Sequence, residues 1–218
     1  PALDENRKHR CRDPNCQPFA VKFIHAADIH LDSPFAGLTD AAAAPVERLK
    51  GCTRQALTAV VDYALENAID FVVIAGDLYD GDWRDYTTGL FFVKEMGRLA
   101  RARIPVYLLY GNHDAESRIT KGLVLPENVF VFPAKAPHTH VIRDLKVALH
   151  GQSFATAVVT GNLARAYPQA RAGHFNIGVL HTSATGRAGH APYAPCQPAE
   201  LVAKGYDYWA LGHVHARE

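Results

Sequence analysis

Aspartate and histidine side chains recur in five short motifs along this chain, each directly after a short apolar run. The motifs are Asp28-Ile29-His30, Gly76-Asp77, Gly111-Asn112-His113-Asp114, His181 and Gly212-His213-Val214-His215. Imidazole together with carboxylate suits manganese, iron or zinc, whereas a set of oxygen ligands alone would suit magnesium or calcium. The residue types therefore indicate divalent metal binding, with manganese, iron and zinc as the candidates.

The number of candidate ligands predicts two ions rather than one. Seven residues are candidate ligands, more than one ion with an open position needs: Asp28, His30, Asp77, Asn112, His181, His213 and His215. They suit two ions that share a carboxylate. Such a pair can activate a hydroxide and stabilise the attacking and leaving oxygens of an in-line displacement at phosphorus. His113 is left over beside a ligand, so it is predicted to act as general acid on the leaving oxygen, with Asp114 as its orienting partner.

Each motif taken alone has a structural explanation, and Asn-His-Asp after a strand could be simple turn chemistry. The occurrence of all five motifs after apolar runs is what favours metal binding. Six other histidines have no second ligand-type residue at a metal-binding spacing and are interpreted as packed or solvated: His9, His25, His138, His140, His150 and His174. His190 differs because it lies in a long loop (182–198) that follows His181, and it is a candidate for substrate contact together with Asp80.

The apolar runs predict strands buried on both faces, over 21–27, 71–75, 104–110, 175–180 and 207–211. Apolar residues at intervals of three and four predict helices over 45–68 and 86–102. This β-α-β-α-β order predicts an α/β fold with parallel strands, whose carboxyl ends are where sites lie. Segments 129–132, 140–143 and 145–150 are predicted as antiparallel or edge strands, and 161–167 and 198–204 as short helices.

Composition excludes several other classes of protein. The chain has 218 residues, 48% of them hydrophobic, and a net charge of +1, which suits one globular domain rather than a disordered or broadly polyanion-binding protein. Arg98, Arg101 and Arg103 could form a local nucleic-acid patch or the solvated face of a helix. The chain has no run long enough for a membrane span, no signal core, and four unevenly spaced cysteines. These features predict a cytoplasmic protein.

The first residues differ from the rest in composition. Residues 1–18 are polar and irregular and are predicted to be a tail outside the core, followed by a catalytic domain over 19–218. Cys11 and Cys16 have a spacing that suggests zinc. No second pair of ligands matches them, so two ordinary thiols are favoured.

The ordered motifs resemble the calcineurin-like metallophosphoesterase superfamily over residues 21–218. Longer segments narrow the resemblance to bacterial DNA repair exonucleases of the SbcD and YhaO type; they are 26–32, 76–80, 206–215 and Tyr193-Ala194-Pro195-Cys196. The resemblance implies a sandwich of two mixed β-sheets flanked by helices, with two divalent metal ions. Manganese is the metal it favours, with iron, zinc or magnesium as alternatives. One ion would take Asp28, His30, Asp77 and His215, and the other would take Asp77, Asn112, His181 and His213. His113 would be the catalytic histidine.

The same resemblance implies the substrate and the partners. The expected activity is 3′–5′ exonuclease cleavage of DNA, with endonuclease cleavage of single strands. A coiled-coil ATPase like SbcC is the expected partner, and a homodimer is a further expectation. Archaeal and eukaryotic relatives carry a second histidine where this chain has Asp80. The DNA-contacting cap domain that follows the last ligand in the family is absent from residues 1–218, so more chain is expected beyond Glu218.

Two rival functions remain at this point. The same metal core serves phosphodiesterases and phosphatases that act on small nucleotides or other phosphoesters. A non-catalytic adaptor is the other rival, but it would have no need of seven ligands together with His113.

Overall fold

The computed structural model describes residues 20–33, 51–80, 86–117, 122–184 and 192–215. The predicted tail with Cys11 and Cys16, the first turns of the helix predicted over 45–68, and His190 lie outside these ranges. The described strands are β1 (Phe23–Ala26), β2 (Phe71–Ala75), β3 (Val106–Leu109), β4 (Val129–Val131), β5 (His138–Ile142), β6 (Val147–Gly151), β7 (Phe175–His181) and β8 (Tyr208–Gly212). The described α-helices are α1 (Cys52–Glu66), α2 (Tyr86–Arg101), α3 (Asn112–Glu116) and α4 (Pro198–Val202).

The strands form two four-stranded sheets. The first has the order β1-β2-β3-β4 and all its pairs are parallel. The second has the order β5-β6-β7-β8, in which only the β5–β6 pair is antiparallel. The parallel order predicted for the apolar runs is thus confirmed. The antiparallel pairing of the two segments that form β5 and β6 is also confirmed. The segment predicted over 129–132 is an edge strand, β4, and it pairs in parallel with β3.

The two sheets pack face to face, and the alternation of each strand separates two cores. Phe71, Val73 and Ala75 of β2 point toward the second sheet and contact a buried layer that includes Ile177 and Val179. The alternate residues of β2 point outward and pack against α1 and α2. A smaller cluster covers the outer face of the second sheet beneath α4. The predicted α/β sandwich of two sheets flanked by helices is confirmed.

Several predicted boundaries shift by a few residues. The predicted helix over 161–167 is a single 3₁₀ turn, Leu163–Ala166, and the turn between β5 and β6 is a second one, Arg143–Leu145. The strand predicted over 140–143 begins earlier, at His138. Among the described residues, no helix is long and apolar enough to cross a membrane.

An aromatic cluster closes the side of the sandwich where edge strands β4 and β5 face each other. The ring of His140 lies 5.0 Å from Phe132 and 5.4 Å from Tyr107, measured between ring centroids, and 4.7 Å from His138. Its Nε2 is buried without a hydrogen-bond partner. Burial, and then the neighbouring His138, lowers the pKa of His140 to about 4.

We expect His140 to make the fold acid-sensitive. Because its folded pKa lies below the unfolded value of 6.5, the unfolded chain binds the proton first. The free energy of unfolding should therefore be retained above pH 6.5 and fall as the pH drops toward 4. Discounted for the partial exposure of the ring, the loss between pH 7 and pH 5 is about 1 kcal/mol.

Urea unfolding of His140→Phe at both pH values, with chelator present, measures this loss. The variant should lose less stability on acidification than the parent chain, whereas His174→Phe, just before β7, should behave like the parent. An unchanged pH dependence in His140→Phe would contradict the assignment.

Candidate metal centre

The carboxyl ends of five parallel strands meet at one edge of the sandwich, and the predicted ligands follow them. Asp28 and His30 follow β1, and Asp77 follows β2. Asn112 and His113 follow β3, His181 ends β7, and His213 and His215 follow β8. The two sheets thus contribute to a single site, as expected for α/β folds with ligands at strand ends.

Asp28, His30 and His215 form a first cluster, whose ligand atoms all lie within 4.8 Å of one another. The Nε2 atom of His215 is 3.8 Å from Oδ1 of Asp28. The backbone N–H of His213 donates to both carboxylate oxygens of Asp28, at 2.9 and 3.1 Å. This cluster lies toward solvent, since the His215 side chain is 61% exposed.

Asp77, His181 and His213 form a second cluster within the same 4.8 Å limit, and all three are buried. Nε2 of His181 lies 3.2 Å from Oδ2 of Asp77 and 3.0 Å from Oδ1 of Asn112. Oδ2 of Asp77 also lies 3.9 Å from Nε2 of His30 in the first cluster. Asp77 therefore stands between the clusters, where the sequence predicted a shared carboxylate.

The hydrogen bonds of His181 suit a bound cation. Its Nδ1 lies 3.0 Å from the carbonyl oxygen of Ala75, which can only accept, so Nδ1 carries the hydrogen. In the neutral ring the Nε2 lone pair then faces the oxygens of Asp77 and Asn112. Three acceptor atoms that converge in a buried place need a proton or a metal ion between them. The second cluster thus has the donor set of a divalent metal site.

The charges of the site favour positive charge at the histidines. Burial lowers the pKa of His181, but its hydrogen bond to Asp77 and the charge of that carboxylate outweigh burial and raise it overall. The pKa of His30 is likewise lowered by burial and raised overall by Asp80 and Asp77. The pKa of Asp77 is raised by burial but lowered overall by the histidines around it. A bound cation would supply the positive charge that the carboxylates of the site favour.

Asp80, rather than Asp114, is the carboxylate beside His113. Oδ1 of Asp80 lies 3.2 Å from Nδ1 of His113 and 2.8 Å from Nδ1 of His30, and Ser33 donates to the other oxygen. The predicted pairing of His113 with Asp114 is wrong. One aspartate thus orients both a predicted ligand and the predicted general acid, and each ring turns its Nε2 away from Asp80.

Asp114 has a backbone role instead. Its carboxylate accepts N–H groups of Gly111, Leu78 and Tyr79, at 3.0, 3.2 and 2.9 Å, and its side chain is fully buried. Burial and the charge of Asp77 raise the pKa of Asp114 to about 6 against these donors. Asp114 therefore ties the start of α3 to the loop after β2, because the third residue of a helix points back at its N-terminus.

The backbone at the site adopts conformations that non-glycine residues avoid. Asp28, His30, Asp77 and His213 have φ angles of 53°, 43°, 51° and 90°. Left-handed backbone of this kind costs of order 1–3 kcal/mol per residue and concentrates at functional sites. Gly212 meets a different constraint, since a Cβ there would overlap the Ala75 carbonyl and lie 2.8 Å from His181.

Asp80 and His190 are the two residues predicted to contact the substrate. Asp80 lies at the site, whereas His190 is outside the described residues. Sequence reasoning missed the roles of Asp80 and of the Ala75 carbonyl. The position of Asp80 three residues after Asp77, across the same loop, was the signal that could have indicated Asp80. A backbone carbonyl leaves no such signal.

The sequence model of the calcineurin-like phosphoesterase family matches residues 21–217. The chain belongs to this family. It is therefore a metallophosphoesterase, a class of hydrolases that bind two divalent metal ions, and the two clusters around Asp77 are the groups that could hold them.

Individual relatives differ in how much is known of them. The chain is 37% identical over 201 residues to the uncharacterized metallophosphoesterase YhaO of Bacillus subtilis, covering 91% of this chain and 49% of that protein. It is 26% identical over 208 residues to the DNA double-strand break repair protein Mre11 of Saccharolobus solfataricus, covering 90% and 50%. The chain thus spans about half the length of these relatives. A dimetal phosphatase from Danio rerio aligns with a TM-score of 0.38 at 15% identity, covering 61% of this chain and 44% of that one.

We expect the chain to bind two Mn²⁺ ions that share Asp77. Ions that bind only the folded state stabilise it by about 2.7 kcal/mol per site at one hundred times the dissociation constant. Calorimetric titration should give two ions per chain, and chelation should lower the melting temperature. Asp77→Asn should lose both ions. A single ion at saturating Mn²⁺, seen by anomalous scattering with His181 and His213 turned away, would contradict a two-ion site.

Proposed function

We propose that this metallophosphoesterase cleaves DNA phosphodiester bonds, as a 3′–5′ exonuclease that also cuts single strands internally. The observation that carries the chemistry is the meeting of two ligand clusters at Asp77, with His113 beside them. Similarity to Mre11, a DNA double-strand break repair protein, supports DNA as the substrate class. Manganese is proposed as the metal because the resemblance of the ordered ligand motifs implies it, and mixed imidazole and carboxylate ligands are compatible with it.

Each cluster would hold one ion. Asp28, His30 and His215 would hold the first and Asn112, His181 and His213 the second, with Asp77 shared between them. When bound, the two ions supply an activated water nucleophile and neutralise charge on the phosphoryl group. The protein's part is to fix the ligand rings, which it does by holding the Nδ1 atoms of His30 and His181 on Asp80 and on the Ala75 carbonyl.

His113 is the group proposed to move a proton. Its side chain is 44% exposed, and its ring centroid lies 5.0 Å from that of His30, so it borders both the first cluster and solvent. Asp80 accepts from Nδ1 and so leaves Nε2 to carry the proton that the leaving 3′ oxygen takes. An alkoxide leaves poorly unless it is protonated, so a general acid here is worth ~10²–10⁴-fold in rate.

The biological setting proposed for the chain follows from the same resemblance. We propose a cytoplasmic protein that acts with a coiled-coil ATPase, contacts DNA through a further domain and also forms a homodimer. The half-length match to YhaO and Mre11 is compatible with such a domain. We also propose that residues 1–18 form a tail and that residues 19–218 form the catalytic domain.

We expect His113→Ala to separate chemistry from metal binding. The variant should keep both ions and its melting temperature, while cleavage of a DNA diester falls ~10²–10⁴-fold because the leaving alkoxide is no longer protonated. A nitrophenyl phosphodiester has an activated leaving group and should lose much less. Rates on both substrates, with metal content measured alongside, test this expectation.

Two comparison variants sharpen the experiment. Asp77→Asn should lose metal and both activities together, and His174→Ala should change nothing. If His113→Ala empties a metal position, or slows both substrates equally, His113 is a ligand or a binding residue instead.

The substrate itself is tested with a panel. We expect the Mn²⁺-loaded chain to shorten double-stranded DNA from the 3′ end and to nick single strands, because its relative acts in break repair. Cyclic dinucleotides, nucleoside monophosphates and a nitrophenyl diester complete the panel, and Asp77→Asn serves as the metal-free control. Turnover of the small nucleotides without turnover of DNA would favour the rival function.

A further inference from the structure

The ring of His25 connects the two sheets at the open side of the metal centre. Its Nε2 lies 3.0 Å from the carbonyl oxygen of Leu211, and its Nδ1 lies 3.1 Å from the hydroxyl of Tyr208. His25 belongs to β1 and both partners belong to β8, which are edge strands of different sheets. No strand pairing joins these two described edges, so side chains must fix their separation.

The partners of His25 determine which nitrogen carries the hydrogen. The Leu211 carbonyl can only accept, so Nε2 donates to it. Nδ1 then accepts from the Tyr208 hydroxyl, whose ring packs edge-on against Phe23, with centroids 5.3 Å apart. Burial lowers the pKa of His25, although the Leu211 carbonyl and Asp28 oppose this, so the neutral ring with one N–H is favoured. Both ring nitrogens thus bind β8.

The position of this contact relates it to the first ligand cluster. His25 lies three residues before Asp28, and Leu211 lies four residues before His215. The second cluster has a matching contact, in which His181 of β7 donates to the Ala75 carbonyl of β2. In each case a histidine of one sheet donates to a carbonyl near the end of a strand in the other. One contact crosses the middle of the sandwich and the other crosses its edge.

We propose that His25 is a positioning residue that sets the distance between Asp28 and His215, and thereby the affinity of the first ion. This rests on the proposed two-ion site. Without the hydrogen bond to Leu211, the end of β8 can move away from β1. The first cluster takes all its ligands from the ends of these two strands. The second takes Asp77 and His181 from strands that are held by the contact between β2 and β7, and only His213 from the end of β8. Loss of His25 should therefore weaken the first ion more than the second.

The first test measures both ions in matched variants. Calorimetric titration with Mn²⁺ should show that His25→Leu weakens one ion about tenfold or more, as loss of an orienting group does, and weakens the other less. His25→Gln places an amide N–H where Nε2 lies and should remain within about threefold of the parent. His174→Leu is the control for loss of a histidine. Anomalous scattering at the manganese edge identifies the ion that is lost.

The second test needs no metal. The N–H of His213 donates to Asp28 across the same pair of strands, so its hydrogen exchange reports their separation. In the chelated protein, His25→Leu should speed exchange at this amide about tenfold, while amides of the β6–β7 pair keep their rates.

The outcomes separate this inference from the proposed function. Equal weakening of both ions would overturn it, as would unchanged affinities in His25→Leu. If the parent chain binds no Mn²⁺, the two-ion function fails. The exchange rate of His213 then decides alone, and an unchanged rate in His25→Leu would overturn the positioning role.

Discussion

The hydrogen bond from His181 to the Ala75 carbonyl is the contact on which the arrangement of the site depends. It joins β2 and β7, strands of two sheets whose facing sides also pack through a buried apolar layer. It also fixes which nitrogen of His181 faces Asp77 and Asn112. The bond requires close approach, and Gly212 allows it because any side chain there would occupy the same space. The same hydrogen bond therefore determines how closely the two sheets approach and how the ring of His181 is oriented.

Charge at the strand ends follows from that packing. Asp77 and Asp114 are buried within a short distance of each other, and a low local dielectric makes their repulsion costly. The structure offsets the cost for Asp114 with three backbone N–H groups and for Asp77 with imidazoles. The remaining demand for positive charge is concentrated between the two clusters. The same features that make this edge unfavourable for an empty protein make it favourable for divalent ions.

Strand positions and the set of polar residues at the site could be predicted because both are local. The apolar run Phe71–Ala75 is an example, because the strand and the ligand Asp77 that follows it are neighbours in the sequence. The partner of His113 could not be predicted, because adjacency in sequence does not give direction: α3 turns Asp114 back toward its own N-terminus, away from His113. The contact of His25 was missed for another reason. Its partners lie 183 and 186 residues away, and no local pattern carries that information.

The parallel pairing of β4 was likewise not evident from the chain. A run of three apolar residues at an edge is too short for its pattern to distinguish direction. The direction depends on the connection from β3, which is long enough for the chain to cross back and enter the sheet from the same end. The contacts between site residues could not be predicted either, because they depend on distances between segments that are far apart in the sequence.

The left-handed backbone at Asp28 and Asp77 limits how these residues can be probed. Alanine at either position removes a carboxylate and also introduces a residue that avoids this region, so two effects would be measured as one. Asparagine tolerates left-handed backbone at least as well as aspartate and has almost the same shape. Isosteric amides are thus the substitutions that isolate charge here, and an alanine scan of this loop set would overstate what each carboxylate contributes to binding.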